Sequence, residues 1–393
     1  MEGSGSGSGA GRIMHSDLEY DSSGDYSDKW FRPPLIKDYV DQSVKILSTE
    51  NDTFPLYFAE DEEYSLYFKI AIVILFNSVF VTALVGNALV IYIVFSRLKM
   101  RTATNYLIAN LAMGDLLMTV SCVPFVYLPV IRLYWPFGTF LCYLLPHAQS
   151  VSLLVSSYTL VALAVDRYMQ ICYPFRPQLT KSQTCSISAG MWIIALITAF
   201  PIAIFKENFP YKNTGQYMCD NTGWKDMGPE EFKLPYGWTL MTFQYYFPVT
   251  LLIFTYSRIK SLRQAEAEDS KDQSVFKTKS NKMLKMMMTV SLIYIMSWLP
   301  HNIFIIYEEI WVEPSSKELQ QVIEYLYLAF LWLAMAHTVW KPVIYCFMDS
   351  SFRDGFKEVA SNVRRKLVHS IFKRGDPHLH NTVQDQVTTK FGP

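Results

Sequence analysis

Charge is what this chain has least of. Asp, Glu, Lys and Arg make up 18% of its 393 residues, against 51% hydrophobic residues. An ordinary soluble domain carries about 25% charged residues, so a soluble globule of this length is disfavoured. The two signs balance at 35 each, which removes the overall basic excess that nucleic-acid binding calls for. Also missing are a nucleophile beside a base, a glycine-rich phosphate loop and His/Cys clusters at metal-ligand spacing. His147, His301 and His337 stand singly in apolar surroundings, where packing or ligand contact suits them better than metal. These absences argue against an enzyme, a cofactor or a metal centre. The opening tract MEGSGSGSGAG has no apolar core, so no secretory signal peptide is expected there. The first apolar run would have to direct its own insertion.

What the chain has instead is seven apolar runs, each of the roughly 20 residues that cross a bilayer as a helix. They are Leu66–Phe95, Thr104–Ile131, Phe140–Cys172, Cys185–Phe205, Leu234–Tyr256, Met283–Ile310 and Gln320–Phe347. Lipid offers no partner for backbone polar groups, so spans of this composition must be helical. The fold class expected is all-α: a seven-helix transmembrane bundle. Repeats and rows of carboxylates along a pathway, which a transporter would want, are absent.

Such charge as there is lies in separate blocks. Residues 1–66 hold 14 Asp/Glu and 5 Lys/Arg, whereas Arg258–Lys285 holds 8 Lys/Arg and 4 Asp/Glu. The links near Arg97, Lys99, Arg101 and Lys181 are basic as well. Positive links stay in the cytoplasm, which predicts an extracellular N-terminus and a multi-pass plasma-membrane protein. Residues 1–65 read as a disordered acidic segment, with a glycosylation sequon at Asn51 and with Tyr20 and Tyr26 set among acids, either sulfated or simply part of a solvated tail. Of six cysteines, Cys142 and Cys219 fall on the oxidising side, where a disulfide between them is expected. The third inner loop, 259–280, reads as short and polar. Beyond Phe347, Phe352 and Phe356 with Arg353 and Lys357 predict a short amphipathic helix over 349–360 on the membrane surface, then a disordered tail over 361–393.

Each run keeps a few polar or kinking residues that lipid would not tolerate unpaired. In order these are Asn87, Asp115, Ser156 with the triplet Asp166-Arg167-Tyr168, Trp192, Pro248 with Tyr256, Trp298-Leu299-Pro300, and Pro342 with Tyr345. The triplet closes a stretch, Phe140 to Val165, that carries no other acidic or basic charge. One such residue is commonplace; a set in each run, in this order, is specific.

Over about residues 66–360 the chain resembles the rhodopsin-like (class A) G-protein-coupled receptors. The resemblance implies a G-protein switch at Asp166, Arg167 and Tyr168, with Tyr256 and Tyr345 meeting near Arg167 through water. It implies that Trp298 turns beneath the ligand and that Pro300 supplies a hinge. It implies a mid-membrane cluster of Asn87, Asp115 and Ser156, which in that family takes up sodium. Heterotrimeric G protein, arrestin and membrane lipid are the implied partners. One departure is large. The family pattern Asn-Pro-x-x-Tyr stands here as Lys341-Pro342-Val343-Ile344-Tyr345. A lysine at mid-bilayer must find a partner or lose its charge. One reading is an ion pair with Asp115, the ammonium replacing the sodium ion. The other is a substitution that impairs signalling, leaving a peptide-binding protein without G-protein output. The opsin reading fails, because the retinal-bearing position is Met335.

Seven residues after Cys142, where amine receptors need a carboxylate, the chain has Gln149. An amide suits a neutral group such as a C-terminal carboxamide. Gln244 is expected at similar depth. Glu308 and Glu309 close the sixth run and are either solvated or placed to hold an arginine. Met100–Tyr106, Tyr134–Gly138 and Val155–Ala162 look like the neuropeptide Y receptor group, and within it most like arthropod RYamide (luqin-type) receptors; neuropeptide F and short neuropeptide F receptors stay open. That resemblance implies an amidated peptide ligand, with Gln149, Gln244, Glu309, Tyr327 and Trp298 as its contacts.

Overall fold

The computed structural model describes residues 65–132, 134–173, 175–211, 216–220, 233–269, 275–310 and 317–374. The first span is α1 (Leu66–Ser96); its N-terminus is capped by the Ser65 hydroxyl, which accepts from Phe68 N. A 3-10 turn (Leu98–Met100) leads to α2 (Ala103–Ser121), capped by Thr102, and then α3 (Val123–Arg132). The second run is therefore broken by a turn at Cys122. The third span is α4 (Gly138–Cys172) and the fourth is α5 (Lys181–Phe205). A capping box starts α5: Gln183 N donates to Thr180 Oγ1, and Thr180 N donates to Gln183 Oε1. A hairpin comes next, β1 (Glu207–Tyr211) antiparallel to β2 (Gln216–Asp220).

The fifth span is α6 (Lys233–Met241), a π-helical stretch (Thr242–Tyr246) and α7 (Phe247–Asp269). The sixth span is α8 (Val275–Ile310) and the seventh is α9 (Lys317–Met348). Among the described residues, six helical stretches are long and apolar enough to cross a membrane. The fifth span, divided by its π segment, supplies the remaining crossing of a seven-helix bundle.

Two boundaries differ from the sequence reading. Spans five and six run on into the third inner loop, to Asp269 and from Val275, because that segment is rich in the helix formers Ala, Glu, Lys and Met. The surface helix α10 covers Ser350–Arg374 rather than stopping near residue 360. Between Lys357 and Arg374 the chain has neither Gly nor Pro, and the helix ends just before Gly375. The segments 1–64 and 375–393, with Asn51, lie outside the described residues.

The third span is the axis of the bundle. Its most apolar window is 72% buried, against 17% for the fourth span. Small side chains allow close approach there: Ala195 and Ala199 of α5 pack on Val151, Leu154 and Val155 of α4. The other faces of the peripheral helices carry Ile74, Val81, Val85, Ile193, Ile197 and Phe200 exposed, an apolar exterior fit for acyl chains. Gly86 marks a close approach of spans one and seven. A Cβ there would sit 2.9 Å from the Pro342 ring.

Candidate functional site

Three layers of polar side chains lie along the bundle. The middle layer centres on Asp115, which like Lys341 is only 1% exposed. Lys341 Nζ lies 2.6 Å from Asp115 Oδ1. Ser156 Oγ donates to the same oxygen at 3.4 Å, and His337 Nε2 stands 3.8 Å from it. Asn87 donates to the carbonyls of Ala83 and, across the interface, Thr338. Asp115 Oδ2 and Asn87 Oδ1 have no partner. Spans two, three and seven thus meet at one carboxylate, and Asn87 ties span one to span seven beside them. The arrangement does not fit a metal ion on that carboxylate. An ammonium already occupies the oxygen, and a second unit positive charge about 4 Å from it would meet a repulsion of about 4 kcal/mol at an effective dielectric near 20. A second polar link ties spans two, three and four: Asn110 donates to Thr159 Oγ1 at 2.7 Å and accepts from Trp192 Nε1 at 2.9 Å.

The cytoplasmic layer is built on Arg167. Its guanidinium contacts Asp166 Oδ2 at 2.8 Å and also donates to the Thr104 hydroxyl. Thr104 in turn donates to Asp166 at 2.9 Å, and Gln170 Nε2 donates to the other carboxylate oxygen at 3.0 Å. The remaining guanidinium arm reaches Met283 Sδ of span six at 3.2 Å. Asp166 and Arg167 are both buried, so the pair is shielded from water, and Thr104 fixes it to span two. Tyr168 packs edge-on against Tyr173. Tyr256 and Tyr345 are not joined to each other or to Arg167 by a hydrogen bond. The Tyr256 and Ser291 hydroxyls share one at 3.1 Å, whereas Tyr345 stacks on Phe352 of α10 and its own hydroxyl has no partner.

The outer layer is aromatic. From the Asp115 carboxylate outward, His337 packs on Trp298, Trp298 on His301, His301 on Tyr327 and Tyr327 on Phe304, with ring centroids 5.8 Å apart at each step. Tyr294 packs edge-on to His337 at 5.6 Å and donates to the Gln244 carbonyl at 3.1 Å. Gln244 itself sits in the π segment, a device that widens a helix by one residue and rotates the turns beyond it. Three buried nitrogens here have no partner: Gln244 Nε2, Trp298 Nε1 and His301 Nδ1. Gln149 is half-buried on the third span; its carbonyl accepts from Ser152, and no hydrogen bond between described residues joins its side chain to Gln244 or Tyr327. The side chains of Glu308 and Glu309 lie outside the described residues, although both belong to the outer end of α8.

Over the outer end of span three lies the hairpin. Cys219 of β2 is disulfide-bonded to Cys142, with Cα atoms 5.7 Å apart. Asn208, opposite Cys219 in register, donates to Thr139 Oγ1 at 3.0 Å, and Trp135 N donates to the Tyr217 carbonyl at 2.7 Å. Gly138, at φ 75°, turns the chain into α4 and fits the left-handed region that glycine enters freely.

Sequence reasoning named most of these residues and read His301 and His337 as packing or ligand-contact histidines, but did not place them beside Trp298 and Asp115. Each is a lone histidine on an apolar helix. Their only signal was spacing: His301 comes three residues after Trp298 and His337 precedes Lys341 by four, one helical turn in each case.

Comparison with known proteins agrees with this geometry. The model of the 7 transmembrane receptor (rhodopsin family) matches residues 86–345. A RYamide receptor of Drosophila melanogaster is 41% identical over 309 residues, 77% of this chain and 65% of the fly protein. One of Tribolium castaneum is 40% identical, over 76% of this chain and 83% of the beetle protein. The Drosophila tachykinin-like peptides receptor 99D is 33% identical over 73% of this chain. The chain thus spans just under two thirds of its fly relative's length.

Proposed function

This chain belongs to the rhodopsin family of seven-transmembrane receptors, and from that premise we propose that it is a plasma-membrane receptor for an amidated neuropeptide of the RYamide type. It passes peptide binding to heterotrimeric G proteins. The observation that carries this reading is the set of unpartnered buried nitrogens of Gln244, Trp298 and His301 at the outer end of the bundle. A buried donor without a partner is destabilising, and a peptide carbonyl or carboxamide would relieve it. Two relatives named RYamide receptors, at 41% and 40% identity, support the peptide class. Gln149 would hold the carboxamide. Glu309 would hold an arginine by a forked contact, and the acidic segment before α1 would draw a basic peptide to the surface. Tyr327 and Trp298 would pack on its aromatic side chain.

On the inner side, Asp166 and Thr104 hold Arg167 at rest. Peptide acts by favouring a bundle in which Arg167 is released to the G protein, a population shift driven by differential affinity. Arrestin would use the same opened face, and α10 would lie along anionic lipid. The N-terminus is extracellular, with glycan on Asn51.

Amidated peptides ending in Arg-Tyr-amide, applied to cells expressing the receptor with cAMP and calcium read together, test the proposal. The expected result is a response that is lost when the free acid replaces the amide. Binding with no response in either readout would instead favour a capture protein silenced by Lys341. Glu309→Ala should weaken the arginine-bearing peptide far more than its alanine analogue.

A further inference from the structure

We propose that the Lys341 ammonium is a tethered cation serving the mid-membrane carboxylate, so that this bundle carries its counter-ion covalently and takes no sodium ion at Asp115. The juxtaposition is direct. Asp115 on the second span and Lys341 on the seventh are both fully enclosed, and Nζ reaches Oδ1 at 2.6 Å. The place a small cation would take beside this oxygen is already filled by the ammonium. Ser156 points its hydroxyl at that same oxygen, and His337 presents a ring nitrogen 3.8 Å away. Asn87 turns its amide nitrogen to the Thr338 carbonyl. A second cation on this carboxylate would sit beside a like charge at short range, and in an enclosed site that repulsion is poorly screened.

A mobile ion and a tethered one differ in what releases them. A free ion leaves by diffusion, whereas the ammonium can leave Asp115 only if the side chain rearranges or span seven moves. Lys341 directly precedes Pro342, where the helix lacks a backbone donor and can bend. Pro342 is wedged against Gly86 of span one, closely enough that no Cβ would fit between them. Bending of span seven at this proline would carry Lys341 away from Asp115. The pair acts as a latch on the seventh span, and salt composition does not set it.

The test needs no ligand, so its outcome stands apart from the peptide reading. Purified receptor is unfolded thermally in sodium chloride and in N-methylglucamine chloride at equal ionic strength. The native protein is expected to show the same midpoint in both salts, and Lys341→Asn a higher midpoint in sodium. Sodium-specific stabilisation of the native receptor overturns the proposal. So does a folded Lys341→Asn variant that ignores sodium. If Lys341→Asn does not fold, a double-mutant cycle decides: Asp115→Asn and Lys341→Met each lower the midpoint, and the double variant lies nearer the native value than either single one. A double variant that loses the sum of both overturns the latch.

Discussion

The inner and outer halves of this bundle differ in what their buried polar groups are and how they are met. In the inner half, charges meet countercharges within the chain: Asp115 with Lys341, and Asp166 with Arg167 and Thr104. In the outer half, Gln244, Trp298 and His301 bury nitrogens that no described residue satisfies. The same lipid surrounds both, so the solvent does not explain the difference. The inner half pairs its charges within the chain, although Asp115 Oδ2, Arg167 Nε and the Tyr345 hydroxyl stay unpartnered, and those pairs define a resting state from within. An outer half with unmet donors gains from a partner, which is what a ligand-operated protein requires. The aromatic column from His337 to Phe304 runs between the two, and so gives the ligand end physical contact with the carboxylate node.

Substitutions can break or sharpen this contrast. The largest effect belongs to the closed half. Lys341→Met strands the Asp115 carboxylate and should cost about 3–5 kcal/mol of stability, read as a lower unfolding midpoint and reduced surface expression. Gly86→Val forces a side chain against Pro342 and should cost about 1–3 kcal/mol by overpacking. It is also expected to change basal signalling, because it presses on the bend of span seven. In the open half the sign should reverse. His301→Phe removes an unpartnered nitrogen while keeping the ring, so stability should hold or rise by up to about 1 kcal/mol while peptide affinity falls. A loss of stability there would show that the outer half is as closed as the inner. The smallest effect is expected at the membrane edge. Arg97 pairs with Glu358 and donates to the Asp354 carbonyl, tying the first inner link to α10. Arg97 is half-buried and Glu358 is exposed, so water screens the pair and Arg97→Ala should change stability by less than about 1 kcal/mol.

Much of the frame was legible without coordinates. Seven runs of spanning length predicted the bundle, because a backbone in lipid can bond only to itself. The Cys142–Cys219 disulfide was readable from which side each residue faced. Asp115 and Lys341 were paired on the ground that a charge at that depth needs a neighbour, and they lie 2.6 Å apart. Less legible were features set by packing. Periodicity gives no warning of the π segment that carries Gln244, since one inserted residue barely alters apolar content. The length of α10 was underestimated although its second half keeps an apolar stripe, with Val363, Leu367, Val368, Ile371 and Phe372 at helical spacing among its basic residues. The direct contacts of Tyr256 with Ser291 and of Tyr345 with Phe352 were not readable either, since they depend on which helix faces adjoin.

Sequence by itself determined how many times this chain enters lipid, which residues defy it, and that a lysine at such depth must find a partner or lose its charge. Those conclusions depend on the energy of single side chains in a solvent of known character, and that energy is a local property. Only the tertiary structure decided that Asp115 is met from two other spans at once, that His337 and His301 carry the aromatic column between node and ligand end, and that the outer nitrogens stay unmet. Such facts depend on which helix face borders which, and hydropathy along one chain does not encode the rotation of one helix against another.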